Sequence, residues 1–134
     1  MPAFLYPSLA TLAYALLLVG FALRFRGSLR HAWLMGAGMA LDLTLVLTLE
    51  FTRNAIGTAL GGTLSVPQMT HILASTLAVL IYIPVFALGF LRLREATPAN
   101  VNLRTWHRRL GTAALGLRTV GFAFMFSIVG RSAH

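Results

Sequence analysis

Residues 31–50 read HAWLMGAGMALDLTLVLTLE, a run of twenty residues with one charged side chain, Asp42, in its interior. A helix of about 20 residues crosses the hydrocarbon core of a bilayer, which is about 30 Å thick. Three further runs, at about residues 4–25, 68–91 and 103–129, have similar length and character. None alternates with period two, so all four are predicted to be membrane-spanning helices rather than strands of a barrel.

The composition excludes most other classes of protein. The chain has 134 residues, of which 57% are hydrophobic, 10% are charged and none is cysteine, and its mean hydropathy is +0.79. A soluble globular domain has about 25% charged residues, and a chain without cysteine has neither disulfides nor thiolate metal ligands. We therefore expect an all-α protein, with residues 1–134 forming one four-helix up-and-down membrane bundle.

The basic residues indicate the orientation of this bundle. The net charge is +8, with eleven arginines and no lysine. Apart from Arg118, the arginines lie between the apolar runs or near their ends, as expected for headgroup contacts rather than nucleic-acid binding. Two loops are rich in arginine, the first through Arg24, Arg26 and Arg30 and the third through Arg92, Arg94, Arg104, Arg108 and Arg109. The second loop and the C-terminal end offer only Arg53 and Arg131. The positive-inside rule then predicts a multi-pass protein with both termini outside. The first run has no basic segment before it and no cleavage site, so we expect it to remain uncleaved.

Two charged residues fall near the middle of predicted spans. Asp42 is eleven residues after His31, and Arg118 is eleven residues after His107. A charge at that depth costs at least about 2.5–3.5 kcal/mol, so each is expected to face the protein interior and to find a partner. The second and fourth spans run in the same direction, and an Asp42–Arg118 ion pair is the simplest arrangement. Such a pair either clasps two helices or belongs to a proton or substrate path, unless each charge instead meets another subunit.

Histidines and small residues recur on one face of three spans. The offsets 0, 4, 7, 11 and 18 describe both His31, Met35, Gly38, Asp42, Leu49 and His107, Gly111, Ala114, Arg118, Met125. A shorter stripe in the third span contains His71, Ser75, Ala78 and Tyr82. Residues at these offsets share one helical face, and small residues allow close helix packing in lipid. We expect the three stripes to face one another.

The histidines suggest two candidate sites on opposite sides of the membrane. His31 and His107 open parallel helices on the cytoplasmic side and can supply two imidazoles to a haem iron or copper, with Met35 as a soft ligand one turn deeper. His71 and Glu50 lie near the outer side, where they can form a metal site or a proton relay. The alternative for each histidine is an interfacial residue without a ligand.

No motif of a known catalytic class is present in the sequence. There is no glycine-rich phosphate loop, nucleophile elbow or HExxH motif. Asp42 and Glu50, at eight residues apart, lie on different faces of the second span and do not form a hydrolytic carboxylate pair. The sequence therefore favours a protein that is not an enzyme.

The order of these residues resembles a bacterial family. His31-x-x-x-Met35 opening one span, His71 opening the next and His107-Arg108-Arg109 opening the last are similar to the CtaM-like assembly factors of haem–copper cytochrome oxidase. The resemblance covers roughly residues 29–128, but Asp42, Glu50 and Arg118 depart from it. It implies a bacterial inner-membrane protein that assists assembly of, or handles haem or copper for, a respiratory complex, together with other membrane subunits. A structural accessory subunit of a respiratory or photosynthetic complex and a small b-type cytochrome are the alternatives.

Overall fold

The computed structural model describes residues 5–26, 28–62, 64–94 and 101–131, and it is helical almost throughout these ranges, with no strand among them. The predicted all-α class is confirmed. The elements are α1 (Leu5–Ala22), a 3₁₀ turn (Leu23–Phe25), α2 (Ser28–Arg53), α3 (Ala55–Leu60), α4 (Val66–Arg94) and α5 (Val101–Arg131).

Helices α2, α4 and α5 extend a few residues beyond the predicted spans, whereas α1 is shorter than its predicted span. Helix α2 begins three residues before His31 and ends three residues after Glu50, while α4 and α5 each exceed their predicted runs by two or three residues at either end. Five of the added residues are arginines, whose long side chains can reach water from the end of an apolar helix: Arg30, Arg53, Arg92, Arg94 and Arg131. The third loop, residues 95–100, lies outside the described residues.

The segment predicted as the second loop is partly helical. Asn54 has a φ of 47° and separates α2 from α3. The Oε2 atom of Glu50 accepts a hydrogen bond of 2.9 Å from the backbone N–H of Ile56, in the first turn of α3. A carboxylate in this position satisfies an amide that has no partner within its own helix. The short helix packs against α2 and α4.

Three of the helices are long and apolar enough to cross a membrane. They are Leu5–Phe25, Leu29–Arg53 and Val66–Arg94, with mean hydropathies of 1.8, 1.6 and 2.2. Helix α5 has 31 residues, but it carries more arginine than the others. The finding supports the prediction of a membrane protein with transmembrane helices.

Close contacts at glycine residues show whether neighbouring helices run parallel or antiparallel. A Cβ atom on Gly20 would lie 3.0 Å from the sulfur of Met35, and one on Gly38 would lie 3.0 Å from the side chain of Leu17. Later residues of α2 thus meet earlier residues of α1, so the two helices are antiparallel. Helices α4 and α5 are antiparallel by the same criterion, because Gly121 abuts Ser75 whereas His107 abuts Gly89.

The four long helices surround one core. Helix α1 contacts α2 and α5, and α4 also contacts α2 and α5, whereas α2 and α5 have no pair of described Cα atoms within 8 Å. Helices α2 and α5 therefore face each other across the middle, joined only by side chains. A cluster of buried apolar residues lies between the helices and comprises Leu17, Met39, Ala78, Val79, Tyr82, Val85 and Ala114.

Gly121 is expected to be indispensable for the packing of α5 on α4. A Cβ atom there would lie only 2.5 Å from Ser75 Oγ and 3.5 Å from the carbonyl oxygen of His71. Overpacking of this kind costs about 1–3 kcal/mol. We predict that Gly121→Ala lowers the midpoint of thermal unfolding in detergent, measured by circular dichroism.

Gly116, on the same helix, is the matched control for this substitution. A Cβ atom on Gly116 meets nothing within 4 Å, and alanine is favoured over glycine in a helix by about 1 kcal/mol. Gly116→Ala should leave the midpoint unchanged or raise it. Equal midpoints for the two variants would show that α5 does not approach α4 this closely.

Candidate cofactor site and buried polar network

Asp42 and Arg118 lie together in the core. The Nη2 atom of Arg118 is 2.7 Å from the Oδ1 atom of Asp42, and the side chains are only 4% and 1% exposed. The sequence predicted that these two side chains pair, because each lies eleven residues after a histidine near the start of its span. Because each charge is removed from solvent, the attraction between them is weakly screened and the loss of either would strand the other.

Two hydroxyl groups of α4 complete the surroundings of the ion pair. The hydroxyl group of Tyr82 donates a hydrogen bond of 2.8 Å to Asp42 Oδ2, and Arg118 Nη1 donates one of 3.3 Å to Ser75 Oγ. The network links α2, α4 and α5.

The small residues of the predicted stripes explain why the network can form. Ala78 and Ala114 of these stripes are buried around the network, and so is Gly121, which was not part of a predicted stripe. These small residues allow the backbones to approach until short side chains such as Ser75 reach across an interface. Tyr82 lies seven residues after Ser75 on the same face of α4. The predicted stripes on α2, α4 and α5 thus all contribute to one core.

The rings of His31 and His107 lie near each other in the core, although they come from α2 and α5 on its opposite sides. Their ring centres are 6.4 Å apart, and the ring planes are inclined at 84°. Both residues are half-buried. They lie eleven residues before Asp42 and Arg118, so the imidazole pair and the ion pair form two separate polar layers of the same helix pair.

Each imidazole is anchored to the backbone of a neighbouring helix. The Nδ1 atom of His31 lies 2.7 Å from the carbonyl oxygen of Gly20 in α1, and that of His107 lies 3.1 Å from the carbonyl oxygen of Val85 in α4. A carbonyl oxygen only accepts, so Nδ1 is the protonated nitrogen in both rings. In the neutral imidazole this leaves Nε2 with the free lone pair. Histidines that bind metals commonly have this arrangement.

His71 has a similar anchor, but no histidine lies opposite it among the residues that the structure describes. Its Nδ1 atom lies 2.6 Å from the carbonyl oxygen of Gly121, which fixes the ring against α5. The other half of the predicted outer site, the carboxylate of Glu50, accepts the hydrogen bond from Ile56 described above. A metal site formed by Glu50 and His71 stays a prediction, and the described residues contain no group of three or more histidine or carboxylate side chains that could hold a metal ion.

The side chain of Met35 fills the space beside Gly20. Its sulfur atom would be 3.0 Å from a Cβ atom at that position, so the sulfur lies against α1 next to the residue that anchors His31. This contact accounts for a packing role of Met35. Its role as a third ligand stays a prediction.

The backbone partners of the histidines were not predicted from the sequence. A carbonyl oxygen belongs to every residue, so nothing in the identity of Gly20, Val85 or Gly121 marks them as hydrogen-bond acceptors. Gly89 offers a partial signal, because a Cβ atom there would lie 3.0 Å from Cε1 of His107. A glycine on one helix allows a histidine ring of the neighbouring helix to approach its backbone closely.

Removing one member of the ion pair is expected to be worse than removing both. Asp42→Ala or Arg118→Ala leaves a buried charge without its partner, which typically costs about 3–5 kcal/mol. The double variant leaves a cavity but no stranded charge. We predict that the double variant gives more folded protein than either single variant, measured as the monodisperse fraction in size-exclusion chromatography after detergent extraction.

Tyr82→Phe serves as the control for the ion-pair variants. It removes only the hydrogen bond to Asp42, which contributes about 1.5–3 kcal/mol when the acceptor is charged. It should therefore reduce the folded fraction less than either charge deletion. Equal yields for the wild type and all the variants would contradict the pairing of the two charges.

Comparison of the chain with models of protein families, with curated proteins and with solved structures found no match in any of the three. The functional interpretation therefore depends on the residues themselves. The similarity to the CtaM-like family stays a prediction, made from the order of the histidines and Met35 in this chain.

Proposed function

We propose that this chain is a multi-pass protein of the bacterial inner membrane that holds a metal-centred cofactor, haem iron or copper, between His31 and His107. In this proposal it assists the assembly of a respiratory complex or handles cofactor for it, alongside other membrane subunits. The supporting observation is the approach of two carbonyl-anchored imidazoles, with ring centres 6.4 Å apart, from helices that lie across the core from each other.

The donor set suits such a cofactor. Neutral imidazole nitrogens are ligands for both iron and copper, and a hydrogen bond from Nδ1 to a carbonyl oxygen increases the basicity of Nε2. Haem or copper, once bound, supplies one-electron chemistry. The chain's own contribution is to orient the two rings through the carbonyl groups of Gly20 and Val85 and to hold them between packed helices.

A small b-type cytochrome is the second candidate function. It is favoured by the position of the two histidines on diagonally opposed helices, since cofactor sites in helix bundles are built from facing helices of the core. It differs from the first candidate in its partners, because a cytochrome exchanges electrons with a donor and an acceptor. A purely structural accessory subunit would need neither ring to bind anything.

The orientation of the chain is part of the same proposal. We place α1, α2, α4 and α5 as four spans of an up-and-down bundle with both termini outside, because the arginines cluster in the loops after α1 and after α4. His31 and His107 then lie near the cytoplasmic surface. Exposed side chains such as Phe25 (83%), Trp33 (73%) and Trp106 (55%) are suited to the headgroup region on that side.

The absorbance spectrum and metal content of the purified protein test the cofactor site. The full chain, expressed with haem precursor and copper in the medium, is expected to carry a Soret band or stoichiometric copper. His31→Ala and His107→Ala should each lose it, because one imidazole remains in place of two. Retention of the cofactor in both variants would contradict the assignment.

His71→Ala is the matched control for these two variants. It also removes a ring whose Nδ1 atom is bonded to a carbonyl of a neighbouring helix, so it carries a comparable cost in packing. It should keep the cofactor. A wild-type protein without haem or copper that copurifies stoichiometrically with a larger complex would instead favour the accessory subunit.

Labelling of single cysteines tests the orientation. The chain has no cysteine, and Phe25 and Leu60 are 83% and 73% exposed at opposite ends of α2. In intact cells, a membrane-impermeant maleimide should label Leu60→Cys, whereas Phe25→Cys should react only after permeabilisation. The reverse pattern would show that the termini are cytoplasmic.

A further inference from the structure

An open groove lies on the face of α5 that points away from the core. It has a volume of about 470 Å³ and is lined by Arg108, Arg109, Thr112 and Ala113. All four residues are exposed, whereas the next residue, Ala114, is buried against the other helices. The groove, called the arginine groove below, is therefore open to whatever surrounds the bundle.

The two guanidinium groups of the arginine groove are free to bind a ligand. Neither side chain makes a hydrogen bond or an ion pair with any residue that the structure describes. By contrast, the guanidinium group of Arg24 lies 4.0 Å from the ring centre of Phe21 and donates a hydrogen bond of 2.9 Å to its carbonyl oxygen. A guanidinium group has five donor N–H bonds and binds phosphate oxygens in pairs. Arg108 and Arg109 are therefore suited to a phosphate group.

The surroundings of the arginine groove are positively charged. Helices α4 and α5 are antiparallel neighbours, so the end of α4 lies beside the start of α5. The other arginines of these two ends are Arg92, Arg94 and Arg104. The carboxylates of the described residues are remote, because Asp42 is buried in the core and Glu50 caps α3 at the opposite end of α2. The third acidic residue of the chain, Glu95, lies outside the described residues. This distribution of charge favours an anionic ligand.

The depth of the arginine groove favours a lipid over a soluble anion. Arg118 is near the middle of α5, and Arg109 precedes it by nine residues, which is about 14 Å along a helix. Half of the hydrocarbon core is about 15 Å thick. With Arg118 at mid-membrane, Arg109 therefore lies where the phosphate groups of the cytoplasmic leaflet begin.

The other end of the groove lies deeper, beside the acyl chains. Thr112 and Ala113 are closer to the middle of α5 than the two arginines are. The hydroxyl group of Thr112 donates a hydrogen bond of 2.8 Å to the carbonyl oxygen of Arg108, so it does not need a water molecule. A phospholipid is the ligand that can place a phosphate at the arginines and an apolar chain at this end.

We propose that the arginine groove binds one anionic phospholipid of the cytoplasmic leaflet. Arg108 and Arg109 bind its phosphate group, and one acyl chain lies along Thr112 and Ala113. Basic pockets on the cytoplasmic side of membrane helices bind anionic headgroups in this way. The inference goes beyond the cofactor site and depends only on the placement of α5 as a membrane span. The bound lipid neutralises two arginines at the edge of the hydrocarbon region.

Native mass spectrometry of the full chain in a mild detergent tests this inference. Phosphatidylglycerol and phosphatidylcholine with identical acyl chains are added separately. We expect the protein to retain one molecule of phosphatidylglycerol and to release phosphatidylcholine. The variant with both Arg108→Gln and Arg109→Gln should bind phosphatidylglycerol at least about tenfold more weakly, because it lacks the charges that hold the phosphate.

The variant with both Arg26→Gln and Arg30→Gln is the matched control. It removes the same charge from exposed residues at the same end of the bundle, outside the groove. It should retain phosphatidylglycerol as the wild type does. Equal weakening in the two double variants would show a diffuse attraction to anionic lipid and would overturn the inference.

A second pair of variants blocks the groove without changing the charge. Ala113→Trp fills the deeper end of the groove and should prevent retention of the lipid. Ala37→Trp is its control, because Ala37 and Ala113 are both exposed and lie six residues after His31 and His107, respectively. Circular dichroism verifies that both variants remain helical. Retention of the lipid by both variants, or by neither, would contradict the position of the acyl chain.

The outcomes separate this inference from the proposed function. Equal retention of the two lipids would show that the headgroup is not recognised, and would overturn the inference. Copurification of an acidic protein that is lost with Arg108 and Arg109, without retained lipid, would assign the groove to that protein instead. The haem or copper content of the same samples should not change, because the groove faces away from the histidines. Protein that retains phosphatidylglycerol but no cofactor would contradict the proposed function alone.

Discussion

The ion pair between Asp42 and Arg118 is the interaction on which the arrangement of the helices depends. A charge that is removed from water must be neutralised within the protein, and these two buried side chains, 2.7 Å apart, do this for each other. Neither helix can rotate or slide without separating the charges. Tyr82 and Ser75 bind the same pair from α4, so the electrostatic requirement of two residues fixes the positions of three helices.

The geometry of the imidazole pair follows from that constraint. Since α2 and α5 are parallel and are held in register by the ion pair, residues eleven positions earlier on each helix also lie at equal depth. His31 and His107 occupy those positions, and the adjacent helices α1 and α4 supply the carbonyl groups that orient them. A single register between two helices therefore produces a buried ion pair in one layer and a candidate cofactor site in another. The close packing of α5 on α4 in turn requires Gly121 to be without a side chain, since Ser75 occupies that space.

Much of this arrangement was predictable from the sequence, because a charged side chain within an apolar span is so unfavourable that it must find a partner inside the protein. The length of the apolar runs indicated the helices, and the equal offsets from His31 to Asp42 and from His107 to Arg118 indicated which side chains meet. The helix of residues 55–60 was not predicted, because it depends on the left-handed backbone at Asn54 and on the carboxylate of Glu50, both of which are local features of a short segment. The carbonyl partners of the histidines were not predictable either, since they depend on which turn of one helix abuts the next.

Exchange of the two charges tests the pairing of α2 and α5 most directly. Asp42→Arg alone and Arg118→Asp alone each place two like charges together in the core, and both should prevent recovery of folded protein. The variant carrying both substitutions restores opposite charges at the same two positions, so we predict that it recovers a substantial fraction of the folded protein lost in the single variants. A double variant that yields no more folded protein than the worse single variant would contradict the account.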